Sequence, residues 1–427
     1  MSFTTARPAS WQACIACGNE SLETDAATRC ASCGGLLEVR HRRPAQDGEM
    51  LRALFETRCC TREDTIASGV WRFWEIVLPS AGDDDVVTHP EGNTPLLFRE
   101  ALADWAAVPE LLCKHEGHNP TGSFKDRGMT VGITQAKRIG VRAVVCASTG
   151  NTSASLAAYA AQAGLPAFVL VPSGQVAPGK LAQAVGYGAR VIAVRGDFDA
   201  CLRLVEEASA RLGLYVLNSV NPFRLEGQKT IVLELLQQLG WEAPDWIVLP
   251  GGNLGNTSAF GKALEEARDW GLIPRLPRLA VVQAEGAAPF ARSFEGGLRE
   301  RHRIKAETVA TAIRIGDPVS WDRAVKAIRL TDGVVLSVPD VEILAAKSAI
   351  DRAGVGCEPA SAASLAGVRR LAASGTIAAD ARVVAVLTGH MLKDPESVPA
   401  GRGVEEIEGT PDELGHIVDR SEAAPRD

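Results

Sequence analysis

Lys125 stands inside "NPTGSFKDRGM" (119–129), flanked by Asp126 and Arg127 and bracketed by Gly122 and Gly128. Asn-Pro and Thr-Gly mark a tight loop, Pro120 fixes one backbone angle, and the following "MTVGITQAKRIG" turns helical. The lysine therefore falls on the first turn of a helix, where the macrodipole opposes an ammonium and favours the neutral amine. A neutral amine is a nucleophile, and its commonest covalent task is a Schiff base with a carbonyl group. A helix-capping loop with a solvated lysine fits the same letters, and this stretch alone leaves both readings open.

Four of the ten cysteines form a second constellation. "CIAC" (Cys14, Cys17) and "CASC" (Cys30, Cys33) are two knuckles twelve residues apart, each followed by a glycine, Gly18 or Gly34. Each Cys-x-x-Cys turn lets two thiolates converge on one ion, and two turns complete a tetrahedron. With all four positions filled by protein, such a site is structural rather than catalytic. The alternative is a set of reduced thiols without metal. A small zinc-ribbon-like module over residues 10–42 is expected.

Three further segments carry donors in patterns suited to anions. "ASTGNTSAS" (147–155) opens a helix with Ser, Thr and Asn, and "LTGH" (387–390) ends an apolar run. "GGNLGNTSA" (251–259) has the physics of a phosphate cradle, because glycines let an anion approach free backbone amides at a helix start. It lacks the lysine of a nucleotide-triphosphate loop and the spacing of a dinucleotide fingerprint.

The elements that position these loops alternate regularly from Leu112 onward. Strands are expected at 142–148, 167–172, 190–196, 214–219, 245–252, 278–286 and 381–389, with amphipathic helices between them, several ending at glycine. Continuous apolar strands separated by helices predict an α/β fold with open parallel sheets covered on both faces. In such sheets ligands collect beyond the carboxyl ends of the strands, where these loops lie. The chain has 427 residues, enough for two or three domains, and its net charge of −7 argues against nucleic acid or a membrane surface as the main partner. The basic clusters "RHRR" (40–43) and "RERHRIK" (299–305) read as solvated loop charge. No apolar run approaches a membrane span and the N-terminus lacks an apolar signal core, so a cytoplasmic protein is expected. Residues 401–427 read as a loosely held polar tail.

Taken in order, "EGNTPL" (91–96), "NPTGSFKDRGM", "STGNTSAS", "NSVNPFRLEGQKT" (218–230), "GGNLGN", "EPASAAS" (358–364) and "LTGH" with "LKDP" (387–395, Met391 between) resemble the threonine synthases. These belong to the pyridoxal-phosphate enzymes of the tryptophan-synthase-β type. The resemblance runs from about Trp71 to Pro395, and the cysteine knuckles resemble the N-terminal ribbon of some members. It implies fold type II: a catalytic region over 60–400, with a smaller subdomain at about 130–220 and a larger one from the remainder.

By the same resemblance, Lys125 holds pyridoxal 5'-phosphate covalently and serves as acid and base. Gly252, Asn253, Leu254, Gly255 and Asn256, with Thr257, match the site for the cofactor phosphate. Asn151 matches the partner of the ring hydroxyl oxygen, and Thr388 the partner of the pyridine nitrogen. Ser148, Thr149 and Thr152 look like the clamp for the substrate α-carboxylate. Asn218, Ser219 and Arg224 match the residues for a substrate phosphate, helped by Asn253 and Lys125. A guanidinium there forks two bonds to phosphate oxygens, whereas outside this context Arg224 reads as a surface ion pair with Glu226. The implied reaction turns O-phospho-L-homoserine and water into L-threonine and phosphate. Alternatives are a related lyase, such as a cysteate synthase or serine/threonine dehydratase, and an inactive homologue acting as a binding module. The expected partner is a phosphorylated amino acid, with neither nucleic acid nor membrane, in a homodimer; whether zinc loads the ribbon stays open.

Overall fold

The computed structural model describes residues 9–62, 64–174, 178–397 and 409–423. It divides into one compact unit, 1–393, and a second, 394–427. The first unit carries three sheets among its described residues. The N-terminal sheet holds β1 (Ser10–Cys14), β2 (Glu20–Leu22) and β3 (Leu37–His41) in the antiparallel order β2-β1-β3.

The largest sheet is built from β4 (Leu96–Phe98), β5 (Leu111–His115), β10 (Trp246–Pro250), β11 (Arg278–Ala284), β12 (Val334–Val338) and β13 (Val383–Leu387). Its order is β12-β11-β10-β13-β5-β4, parallel throughout except for β4, which runs antiparallel to β5. The third sheet orders β6 (Val144–Ala147), β7 (Ala167–Pro172), β8 (Arg190–Val194) and β9 (Tyr215–Val216) as β8-β7-β6-β9, all parallel.

Alternation along the central strands explains why their apolar runs are unbroken. Ile247, Leu249, Val384 and Val386 enter one buried core, while Val248, Val383, Ala385 and Leu387 enter another on the opposite face. Both faces are dry, so neither needs polar residues.

Four features depart from the sequence expectation. Strands β4, β5 and β12 lie outside the expected set, although β4 (LLF) and β12 (VVLSV) are apolar; in β5 the apolar run is interrupted by Lys114, whose buried amine is held 2.6 Å from Glu234. β9 is shorter than expected, because Asn218 takes over the pairing with its side chain. Its amide oxygen accepts from Ala147 N at 3.0 Å and its amide nitrogen donates to Ala147 O at 2.9 Å. The "RHRR" cluster is not wholly solvated loop charge: His41 closes β3 with its side chain fully buried against Glu226. In the second unit a helix, Pro411–Ala423, lies where only a polar tail was expected; 398–408 and 424–427 lie outside the described residues. No helix among the described residues is long and apolar enough to cross a membrane.

Candidate active site

Lys125 is the first residue of the helix Lys125–Arg138. Its loop is closed by Asp126, whose carboxylate accepts from the Thr121 amide at 2.7 Å and the Thr121 hydroxyl at 2.6 Å. The loop is tied to the end of β13 by Phe124 N donating to Thr388 O at 3.0 Å and His390 N donating to Gly122 O at 2.9 Å. The Lys125 amine lies 3.5 Å from the centre of the Phe124 ring. Burial, reinforced by the nearby Arg224 guanidinium and only partly offset by Glu358, pushes the amine pKa down to about 7. That direction favours the neutral amine which a Schiff base or a general base requires.

The helix Asn151–Gln162 begins beyond the end of β6, and Ser148 Oγ accepts from the amides of Gly150 and Ser153, both at 3.3 Å. Thr149 and Thr152 sit half-buried beside it. The Asn151 amide nitrogen donates to both oxygens of Glu358, at 3.0 and 3.3 Å. Thr388 Oγ1 lies 2.9 Å from Ser361 Oγ, which also accepts from Gly389 N at 2.9 Å. Glu358 and Ser361 are site residues that carried no assigned role in the sequence. One signal was available: Glu358 occupies the N-cap of the helix Pro359–Ala373, where short polar residues are preferred, and its side chain does not cap. A Cβ on Gly389 would fall 2.6 Å from the Glu358 carboxyl carbon, so a side chain there would push that carboxylate aside.

Beyond β10, the helix Gly255–Asp269 starts from Leu254 in the left-handed region (φ 62°), with no side chain capping its free amides. A Cβ on Gly252 would press 3.2 Å from Ile313 Cα, so the turn is closely walled. Asn253 is pinned through its carbonyl to Ser320 N at 3.2 Å. Asn256 Oδ1 and Thr257 Oγ1 are buried without a protein partner. Uncapped amides, an orphan hydroxyl and a walled glycine turn fit a phosphate group.

Arg224 lies in the short helix Pro222–Gln228, 2 % exposed. One nitrogen, Nη1, donates to Leu217 O at 3.0 Å, Nε has no partner, and among the described residues the guanidinium has no ion pair. Burial pulls its pKa down to about 10. The surface pair with Glu226 does not exist, since Glu226 is itself buried and bound by His41, Lys229 and Lys262. Ser219 is half-buried next to Asn218. Gln228 joins the parts: a Cβ on Gly128 would lie 3.0 Å from its Nε2, and one on Gly255 3.5 Å from its Oε1.

The four cysteine sulfurs lie within 4.8 Å of one another. Cys14–Cys33, Cys17–Cys30 and Cys17–Cys33 are 3.5, 3.7 and 3.4 Å apart. A tetrahedral zinc with Zn–S bonds of about 2.3 Å sets its sulfurs about 3.8 Å apart, so the cluster fits that ion closely.

The family description "Pyridoxal-phosphate dependent enzyme" matches residues 87–389, from ahead of the Lys125 loop to just past Thr388, and leaves out the cysteine cluster. A threonine synthase of Methanosarcina acetivorans is 46% identical over 387 residues, covering 90% of this chain and 92% of its own. One from Mycobacterium leprae is 50% identical over 322 residues, covering 75% and 87%. The chain belongs to the threonine synthase family of pyridoxal-phosphate-dependent enzymes. The fold-type-II architecture agrees with the Escherichia coli threonine synthase structure, which superposes at a TM-score of 0.70 over 93% of both chains at 20% identity, a likeness of fold alone. As a threonine synthase family member the chain is a pyridoxal-phosphate-dependent lyase of amino-acid biosynthesis.

Proposed function

We propose that the protein converts O-phospho-L-homoserine and water to L-threonine and phosphate. The observation that carries the reading is a pair of incompletely satisfied donor groups in the same region as Lys125: the uncapped Gly252–Thr257 turn and the buried, incompletely paired Arg224. One suits the cofactor phosphate and the other a substrate phosphate, whereas a dehydratase substrate carries none. Pyridoxal phosphate, when bound, supplies an electron sink that acidifies the substrate Cα and Cβ protons. Lys125 would hold it covalently, with Asn151, fixed by Glu358, at the ring hydroxyl and Thr388 at the ring nitrogen. A threonine there does not enforce a protonated ring, which moderates the sink and suits chemistry at Cβ and Cγ.

Ser148, Thr149 and Thr152, at a helix start, hold the α-carboxylate. Lys125, as a free amine beside the substrate, would move protons at Cα and Cβ in turn. Arg224, with Asn218, Ser219 and Asn253, grips the phosphate that leaves from Cγ with the electron pair of the broken C–O bond; Cγ takes up a proton to become the methyl group, and water adds its hydroxyl at Cβ. A zinc ion on Cys14, Cys17, Cys30 and Cys33, a homodimer and a cytoplasmic location belong to the same reading.

A panel of phosphohomoserine, phosphoserine, threonine and serine, assayed for phosphate and oxo-acid release, tests it. Phosphate release from phosphohomoserine with threonine as product is expected. Preferred turnover of phosphoserine, or oxo acid from threonine or serine, would replace this substrate with that of a relative.

A further inference from the structure

The short helix that carries Arg224 is held from outside the catalytic sheets. Glu226, two residues past Arg224, is buried and accepts from His41 Nε2 at 2.7 Å and from Lys229 Nζ at 2.5 Å, and Lys262 binds its second oxygen. His41 is the last residue of β3 in the cysteine-bearing module, and its other ring nitrogen lies 2.8 Å from Ser10 Oγ. Ser10 stands directly opposite it on β1. The free edge of β3 is stitched to the catalytic region along its length: Arg323 donates to Leu37 O and Lys262 to Val39 O, before His41 reaches Glu226.

On its other side the Arg224 helix abuts the lysine-bearing helix. A Cβ on Gly227 would overlap the carbonyl of Arg127, and Gly128 faces the Arg224 carbonyl. The helix is thus clamped between β3 and the Lys125–Arg138 helix. It runs on through Lys229, itself in right-handed helical conformation, into the helix Thr230–Gln238, so β3 and the Lys125–Arg138 helix bear on its first turns, where Arg224 sits.

We propose that His41 is a positioning residue for the substrate phosphate: through Glu226 it sets the helix at the depth where Arg224 meets that group. The N-terminal module is then part of the substrate site. Loss of the imidazole leaves Glu226 with Lys229 and Lys262, so its charge stays compensated while the helix loses one of its anchors. The inference rests on Arg224 being the phosphate ligand.

The test compares holoenzyme variants by KM and kcat for phosphohomoserine, the inhibition constant of inorganic phosphate, cofactor affinity and melting temperature. His41→Ala should raise KM and the phosphate inhibition constant together, about five- to tenfold, with kcat and cofactor affinity within about twofold. His41→Gln keeps an amide donor and should recover most of the loss. Ser10→Ala, a milder change should His41→Ala fail to fold, should move the same two constants the same way by about two- to threefold. In an Arg224→Ala background, His41→Ala should add nothing to the phosphate constant. If Arg224→Ala itself leaves that constant unchanged, the phosphate reading fails. If Arg224→Ala raises it while His41→Ala and Ser10→Ala do not, the positioning role alone is overturned. It is equally overturned if cofactor affinity and melting temperature fall in step with KM.

Discussion

Arg127 and Arg224 lie on touching helices, both buried, and are satisfied in opposite ways. Arg127 spends all its nitrogens on protein: Glu116 at 2.7 and 2.9 Å, Glu234 at 2.8 Å, the Gly69 carbonyl, and the hydroxyls of Thr94 and Thr230. Arg72 and Lys114 complete the charge around Glu234. Arg224 has one carbonyl and an unpartnered Nε. A saturated network fixes geometry and offers nothing to a ligand. A buried guanidinium left incompletely paired costs stability unless something else supplies its counter-charge, which is the arrangement expected of an anion site. On the proposed function one cluster serves stability and the other binding, so a variant in either should move one property and spare the other.

The largest expected effect is on chemistry. Lys125→Ala should cut turnover by at least about 10⁴-fold, over 5 kcal/mol of barrier, while melting temperature holds or rises. The lysine also sets a pH signature. Because its folded pKa is lowered to about 7, capture of cofactor by the cofactor-free protein should speed up as pH rises to about 7 and then level off. Capture that climbs tenfold per pH unit between pH 8 and pH 10 would mean an ordinary, solvated lysine.

Glu234→Gln should come next, destabilising by about 3–5 kcal/mol in urea denaturation because Lys114 and Arg72 lose their buried counter-charge and Arg127 keeps only Glu116. Despite burial, these cations hold the Glu234 carboxyl well below its ordinary 4.5. A depressed folded pKa contributes stability fully above the unfolded value and loses it below, so the gap between parent and variant should narrow under about pH 4.5. Equal stability at pH 7 would remove the network from the account.

The sheets were largely legible because their strands are apolar on both faces, and the loops because glycine, asparagine and hydroxyl residues cluster where strands end. What stayed hidden was long-range pairing. Lys114 reads as a break in a strand until Glu234, 120 positions away, neutralises it. His41 reads as surface charge until Glu226, 185 positions on, buries it. Glu358 reads as a helix start until Asn151 meets it across 207 residues. Local patterns report local structure, and a buried charge is decided by a partner that sequence spacing does not reveal.

The central claim is that Arg224 holds the substrate's phosphate, and its most direct test is kcat/KM for phosphohomoserine alongside cofactor affinity and stability in Arg224→Ala. A loss of about 1.5–3 kcal/mol in kcat/KM is expected, with cofactor affinity and melting temperature held, and Arg224→Lys should restore only part because an ammonium lacks the planar fork. Normal turnover of phosphohomoserine by Arg224→Ala would contradict the account and leave a pyridoxal-phosphate enzyme whose substrate phosphate is bound elsewhere.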